Sequence, residues 1–198
     1  RQVTIVGLDE TIHKPTELYT LEEIHKHYPG GIDPRDMAWM WRRLLFILGF
    51  VHQSNVIHGA VLPLHVMIEP RDHKLMLNGW GYAVREPKTT GDRLTAISIT
   101  YEKWYPQEVF NKQTPTSGLD LQMAARCMMY LIGIDPLENI PEHRNLDRKM
   151  ARYFSQFMTP NPAQRPQDAW KILAEFDELL EDLWGARTFR IFTMPHKI

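Results

Sequence analysis

The residues that decide the fold read His58-Gly59-Ala60-Val61-Leu62-Pro63-Leu64-His65. An amphipathic stretch precedes them, in which Asp33 is an N-cap, Pro34 takes the first helical position and apolar residues recur at helical spacing. Two short apolar runs follow them, joined by four polar residues that are typical of a hairpin. The sequence therefore predicts an irregular segment between a long helix over 34–54 and a β-hairpin over 66–78.

Beyond the hairpin, residues 79–108 show no sustained period and are rich in Thr, Lys and Gly, which predicts a long surface loop. Structureless loops of this length are uncommon unless they are functional. A helical subdomain is expected over 118–183, opening with a helix that is apolar on nearly every face and therefore buried. The fold class is thus mainly α, with a small β-hairpin after the first long helix.

The composition describes one soluble domain, which we expect to be cytoplasmic. The chain has 198 residues, and 23 Lys and Arg nearly balance 24 Asp and Glu, which argues against binding nucleic acid or a membrane through the overall field. The single cysteine, Cys127, excludes a disulfide within the chain. No apolar stretch reaches the length of a membrane span, and the N-terminus shows no signal peptide.

This order of elements resembles the C-terminal lobe of eukaryotic-like protein kinases over about residues 1–183. In that family a catalytic loop, His-Arg-Asp-Leu-Lys-Pro-x-Asn, stands between the long helix and the hairpin, and His58 and Pro63 fall in register with it. The family's hairpin closes on Asp-Phe-Gly, where this chain has Gly79-Trp80-Gly81. The wording of residues 28–36 further resembles bacterial kinase-like proteins more than animal ones.

Three further positions match the residues that hold this family's lobe together. Glu108 falls at the glutamate of the Ala-Pro-Glu motif, in Tyr105-Pro106-Gln107-Glu108, and Asp120 matches the aspartate that opens the buried central helix. Arg165, in Thr159-Pro160-Asn161-Pro162-Ala163-Gln164-Arg165-Pro166, matches the late arginine. The resemblance implies a buried Glu108–Arg165 ion pair, an Asp120 carboxylate that accepts from backbone N–H groups of the catalytic loop, and a structural His58.

The positions that carry phosphoryl transfer are different. Ala60 stands at the proton acceptor, Leu62 at the lysine, and His65 and Gly79 at the two metal ligands, while Gly59 replaces the arginine that binds a phosphorylated loop. Mg²⁺ prefers oxygen ligands, which neither an imidazole nor a glycine supplies. The resemblance therefore implies a pseudokinase with no catalytic residue, no magnesium site and no cofactor.

The former catalytic loop contains an unbroken apolar run that includes Val61, Leu62 and Leu64. Such a run is expected to be covered, either by the chain itself with any upstream lobe, by a protein partner or by an apolar ligand. Our hypothesis is that it forms a protein-docking surface.

The resemblance also divides the chain. Residues 1–19 would be the last strand of an N-terminal lobe and a hinge-like segment, and the remainder of that lobe, or another domain, would precede Arg1. The strand-like tail over 184–198 would pack onto the lobe or act as a partner-binding peptide.

We expect a protein-interaction scaffold or allosteric module with a protein partner. Two alternatives stay open. One is a regulatory module that still inserts adenine near residues 7–19, and the other is a divergent ATP-dependent enzyme with rearranged chemistry.

Overall fold

The computed structural model describes residues 17–137 and 146–195. The mainly helical character is confirmed, and two small antiparallel sheets accompany the helices. The strands are β1 (Tyr19–Thr20), β2 (Val56–Ile57), β3 (Val66–Glu69), β4 (Lys74–Leu77) and β5 (Val84–Arg85). The helices are α1 (Leu21–His27), α2 (Pro34–Gln53), α3 (Pro87–Thr90), α4 (Gln107–Phe110), α5 (Ser117–Leu131), α6 (Arg148–Ser155) and α7 (Ala169–Trp184). The predicted first strand and most of the 1–19 segment lie outside the described residues.

Helix α2 is the centre of the packing. The Asp33 side chain accepts the Arg35 backbone N–H at 2.7 Å, and Pro34 occupies the first helical position, where a missing N–H costs nothing. On its buried face Trp41 is fully covered, and its indole N–H donates to the Tyr153 hydroxyl at 3.0 Å. The caps and the apolar stripe together explain why the helix begins at residue 34 and packs along its whole length.

Helices α2 and α7 run antiparallel. Arg35, near the start of α2, stacks over the Trp184 ring at the end of α7, and Gly49, near the end of α2, lies against Trp170. Helix α5 packs on another side of α2, and most of its residues are buried. This agrees with the apolar character of α5 on nearly every face.

The segment over 58–65 connects the two sheets. Strands β1, β3 and β4 form one sheet in that order, with Val66 paired to Leu77. Strand β2, which leads directly into His58, pairs with β5, so that Ile57 lies opposite Val84. The segment over 58–65 therefore starts in one sheet and ends in the other.

The long loop predicted over 79–108 has more structure than expected. It contains β5, α3 and two 3₁₀ turns, Trp80–Tyr82 and Ile99–Trp104. Its aromatic residues account for this order, since Tyr101 and Trp104 are buried and the Trp104 ring meets the edge of Tyr130 on α5. The stretch has no regular period because its side chains pack individually and not along one face.

The tail after α7 belongs to neither sheet. Phe192 is buried against α2 and Met194 packs on the core, so this part of the tail lies on the helical body. Among the described residues, no helix is both long enough and apolar enough to cross a lipid bilayer.

Candidate functional site

The segment over 58–65 is anchored by Asp120, on the first turns of α5. This carboxylate is fully buried and accepts the backbone N–H groups of His58 and Gly59, each at 2.8 Å. The His52 Nε2 atom, at the end of α2, lies 3.0 Å from the same carboxylate. One buried charge thus holds α2, α5 and the start of the segment together through charge-assisted hydrogen bonds.

Gly59 has a conformation that disfavours any larger side chain. Its φ is +72°, which favours glycine, and a Cβ there would lie 3.1 Å from both the Leu94 side chain and the Tyr82 carbonyl oxygen. A larger side chain would therefore be strained and would require these neighbours to shift. The backbone here suits the glycine that stands at the position of the kinase arginine.

His58 is a buried, neutral structural residue. Its Nε2 atom donates to the Asn78 carbonyl at 2.8 Å, and its Nδ1 atom accepts the Ala60 backbone N–H at 3.2 Å, which together fix the tautomer. Burial lowers the pKa of His58 below its ordinary value, although the nearby Asp120 carboxylate acts in the opposite direction. The Trp80 ring meets the imidazole edge-on with centroids 4.7 Å apart.

The apolar run is not a docking surface. Ala60, Val61 and Leu62 are completely buried, and Leu64 is half-buried. The chain itself covers them, and the Cys127 thiol on α5 contacts the Val61 carbonyl at 3.5 Å. The hypothesis that Val61 and Leu62 bind a partner is therefore wrong, because both side chains belong to the hydrophobic core.

The His65 side chain leaves no room for a side chain at Gly79, and these are the two positions that match metal ligands. The His65 imidazole is buried, and its Nδ1 atom donates to the Ala60 carbonyl at 2.7 Å. Gly79 has φ +82°, and a Cβ there would lie 2.6 Å from Cγ and Nδ1 of the His65 ring. The ring thus occupies the space into which a side chain at residue 79 would extend.

The rest of the hairpin closure carries no acidic group. The Trp80 indole N–H donates to the Leu77 carbonyl at 2.8 Å, and its ring is 39% exposed. Gly81 is exposed, with open space where a Cβ would lie. Within residues 17–137 and 146–195, no three His, Cys, Asp or Glu side chains group closely enough to hold a metal ion.

Glu108 and Arg165 form a buried ion pair between α4 and the segment before α7. Two guanidinium nitrogens contact the two carboxylate oxygens, one pair being Nη2 and Oε2 at 3.1 Å. Two further donors reach backbone carbonyls, since Nε donates to Thr159 at 2.7 Å and Nη2 to Pro160 at 2.9 Å. These hydrogen bonds offset the cost of burying the charged pair.

Sequence reasoning missed two residues of this framework, His52 and Arg126. Arg126 donates to the Trp104 carbonyl, and burial, followed by the nearby Arg165, lowers its pKa. The sequence offered a signal for Arg126, because a charged residue within the apolar run of α5 must be paired when that helix is buried. It offered no signal for His52, because a histidine in the last turn of a helix is equally consistent with an exposed side chain.

Comparison with known proteins includes a short similarity to a protein kinase subunit. A stretch of 48 residues, 24% of this chain, is 38% identical to casein kinase II subunit alpha' of Saccharomyces cerevisiae (strain ATCC 204508 / S288c). The matched stretch spans 14% of that subunit's length. The chain matches no protein-family model. The short similarity supports a kinase-like relationship over those 48 residues.

Proposed function

We propose that this chain is a kinase-like lobe that transfers no phosphate and acts as a protein-interaction scaffold or allosteric module. One observation carries the proposal: the His65 ring fills the space that a side chain at residue 79 needs. The kinase resemblance assigns both of these positions to metal ligands. At the two positions that match the magnesium ligands of a kinase, this chain therefore has core packing instead.

The chemistry of the neighbouring positions supports the same conclusion. Phosphoryl transfer needs an acceptor for the hydroxyl proton, a cation near the transferred group and oxygen ligands for the metal. Ala60 and Leu62, at the first two positions, are completely buried and cannot carry charge. Losing a positioned proton-transfer group alone typically costs about 10²–10⁴ in rate.

The framework contacts, by contrast, are complete. The Asp120 carboxylate keeps both backbone N–H partners, and the Glu108–Arg165 pair keeps its paired hydrogen bonds. Breaking a buried charge pair is strongly destabilising, so such contacts persist wherever the shape of the lobe matters. A retained shape with an emptied site favours a binding role over a catalytic one.

A group of aromatic side chains on the surface of α2 and α7 supports the binding role. Phe46 and Phe50 are 47% and 50% exposed, and both rings meet the Trp170 ring edge-on, with centroids 5.3 and 5.0 Å away. We call these three side chains the aromatic patch. Contiguous exposed apolar surface of this kind is typical of protein interfaces. The patch replaces the run over 61–64 as the expected contact for a protein partner.

A measurement of nucleotide binding distinguishes the scaffold from the two alternative functions, a nucleotide-binding module and an ATP-dependent enzyme. Thermal unfolding of the full chain is measured with ATP, with and without Mg²⁺. The proposal expects the same midpoint in all conditions. A saturable rise in the midpoint that requires Mg²⁺ would contradict the proposal, because the metal would then have ligands that it does not provide.

The binding role has its own test. Tagged full chain is used to isolate partners from its source cells, and the variant Phe46→Glu/Phe50→Glu is compared with Gln53→Glu/Ala174→Glu, which adds the same charge at exposed positions of α2 and α7. The first variant should lose at least 90% of a stoichiometric partner and the control should retain it. Equal recovery by both, or no stoichiometric partner at all, would count against the role assigned to the aromatic patch.

A further inference from the structure

The C-terminal tail lies in a groove formed by the end of α1, by α2 and the residue before it, and by the β3–β4 turn. We call this the tail groove and define it by Tyr28, Asp33, Asp36, Trp39 and His73. It shares no residue with positions 58–65 and 79–81. The tail residues that contact it are Phe189, Arg190, Phe192 and Thr193.

One end of the groove binds aromatic rings by stacking. The His73 imidazole lies parallel to the Trp39 ring, with centroids 4.0 Å apart and planes 5° apart. Phe189 stacks on the other side of the imidazole at 4.3 Å. The result is a three-ring stack in which the outermost ring comes from the tail.

The middle of the groove is acidic and binds an arginine. The Arg190 Nε atom donates to the Asp36 carboxylate at 3.1 Å, and Nη2 lies 3.3 Å from the Asp33 carboxylate. Both aspartates stand at the N-terminus of α2, where they also favour the helix. The Asp36 side chain is only 11% exposed, so a cation at this position is held in a partly buried site.

The far end of the groove takes a second aromatic ring. Phe192 is 7% exposed and lies 6.0 Å from the Tyr28 ring and 6.5 Å from the Trp39 ring, measured between centroids. The Tyr28 hydroxyl donates to the Thr193 carbonyl at 2.6 Å. The tail residues seated in the groove thus follow the order aromatic residue, arginine, exposed residue, aromatic residue.

The tail is an imperfect occupant of this groove. Residues 186–195 make no main-chain to main-chain hydrogen bond to the described parts of the chain, and Phe189 and Ile191 remain 66% and 80% exposed. Beside the groove, the buried Trp39 Nε1 atom has no hydrogen-bond partner among the described residues. Buried polar groups without partners cost free energy, which a better ligand would recover.

We propose that the tail groove is a docking site for an arginine-containing aromatic peptide of a partner protein, and that the chain's own tail covers it. The tail follows α7 directly, so its local concentration at the groove is high and a partner must compete with it. The two aspartates that bind Arg190 favour an arginine in the partner segment, and the buried position of Phe192 favours an aromatic residue. The partner segment should therefore resemble residues 189–192.

A peptide corresponding to residues 186–195, with a fluorescent label, tests the proposal on the full chain. The variant Arg190→Ala/Phe192→Ala releases the tail and should bind the peptide at least tenfold more tightly than the wild type. Adding Asp33→Asn/Asp36→Asn to the released chain should weaken binding at least tenfold. Ile191→Ala, at the exposed tail position, is the matched control and should behave as the wild type.

Several outcomes would overturn the proposal. No peptide binding to the released chain would do so, and so would equal affinity for the released and wild-type chains. If the wild type sediments as a dimer that Arg190→Ala/Phe192→Ala dissociates, the occupant is the tail of a second copy and not a partner peptide.

Nuclear magnetic resonance keeps the test decisive if the released variant does not fold. In the wild type with ¹³C-labelled phenylalanine rings, saturating unlabelled peptide should shift the signals of the buried Phe192 ring toward those of a free peptide as the tail is displaced. Unchanged Phe192 signals at saturating peptide would overturn the proposal without any variant.

Discussion

The imidazole of His65 occupies the space that a side chain at Gly79 would need, with the Cβ position of Gly79 2.6 Å from the ring. The two residues flank the hairpin in the sequence, and the antiparallel pairing of β3 with β4 brings them together. A carboxylate side chain at residue 79 would therefore also require a change at residue 65. The two residues behave as one steric unit.

Gly79→Ala tests this contact. The substitution combines a left-handed backbone with overpacking against a buried ring, so we expect it to lower the free energy of unfolding by about 2–4 kcal/mol. Gly91→Ala is the matched control, since Gly91 has φ +72° but open space around it, and should cost only about 1–2 kcal/mol. Urea denaturation of both variants measures the difference.

The double variant His65→Ala/Gly79→Ala completes the cycle. Removing the ring should relieve the overpacking, so the double variant should be more stable than the sum of the two single effects predicts, by at least about 1 kcal/mol. Strict additivity would mean that the two side chains do not compete for the same space.

Glu108→Gln should be among the most destabilising single changes. It leaves the Arg165 guanidinium buried without its anion, which typically costs about 3–5 kcal/mol. Lys171→Ala, which removes an exposed pair with Glu175 on α7, is expected to cost about 0.5 kcal/mol or less. Comparable losses in the two variants, measured by thermal or urea unfolding, would refute the structural role of the buried pair.

Asp120→Asn should loosen the start of the 58–65 segment more than the rest of the chain. The amide replaces a charged acceptor of two backbone N–H groups, and each such bond contributes about 1.5–3 kcal/mol. Amide exchange at His58 and Gly59 should therefore accelerate at least tenfold more than exchange in the middle of α7. Uniform acceleration throughout would point to a global loss of stability and not to a local anchor.

Acidification should destabilise the chain through its buried histidines. Burial lowers the pKa of His58, and burial, together with the nearby Arg43, lowers that of His73. Below pH 6.5, the ordinary value, the unfolded chain takes up protons that the folded chain does not, so the free energy of unfolding falls as the pH falls.

The size of this slope can be measured between pH 7.5 and 5.5. Each histidine contributes up to about 1.4 kcal/mol per pH unit, and His58→Gln should reduce the slope by up to that amount. An identical slope in the variant and the wild type would show that His58 is protonated equally in both states.

Local signals in the sequence account for much of the fold. The Asp33 cap, the proline after it and the apolar period predict α2 to within one residue of its observed end at Gln53. The polar turn after Glu69 predicts the hairpin in the same way, because caps and turns are encoded by neighbouring residues. These features need no knowledge of distant contacts.

Tertiary contacts set the limit of what the sequence predicts. An apolar run such as Val61 and Leu62 looks the same whether α5 or a partner covers it, and only the packed structure decides. Apolar and polar residues alternate in the tail as they do in a strand, but the tail pairs with neither sheet. The contact of His65 with Gly79 likewise depends on how the hairpin closes.

Label transfer from ATP tests the central claim most directly. The purified full chain is incubated with γ-labelled ATP, Mg²⁺ or Mn²⁺, and general protein substrates, and incorporation into the substrates and the chain itself is counted after gel filtration. We expect no incorporation above the level of a sample without the chain. Label incorporation that co-elutes with the folded chain in every gel-filtration fraction would show that the chain is an active kinase.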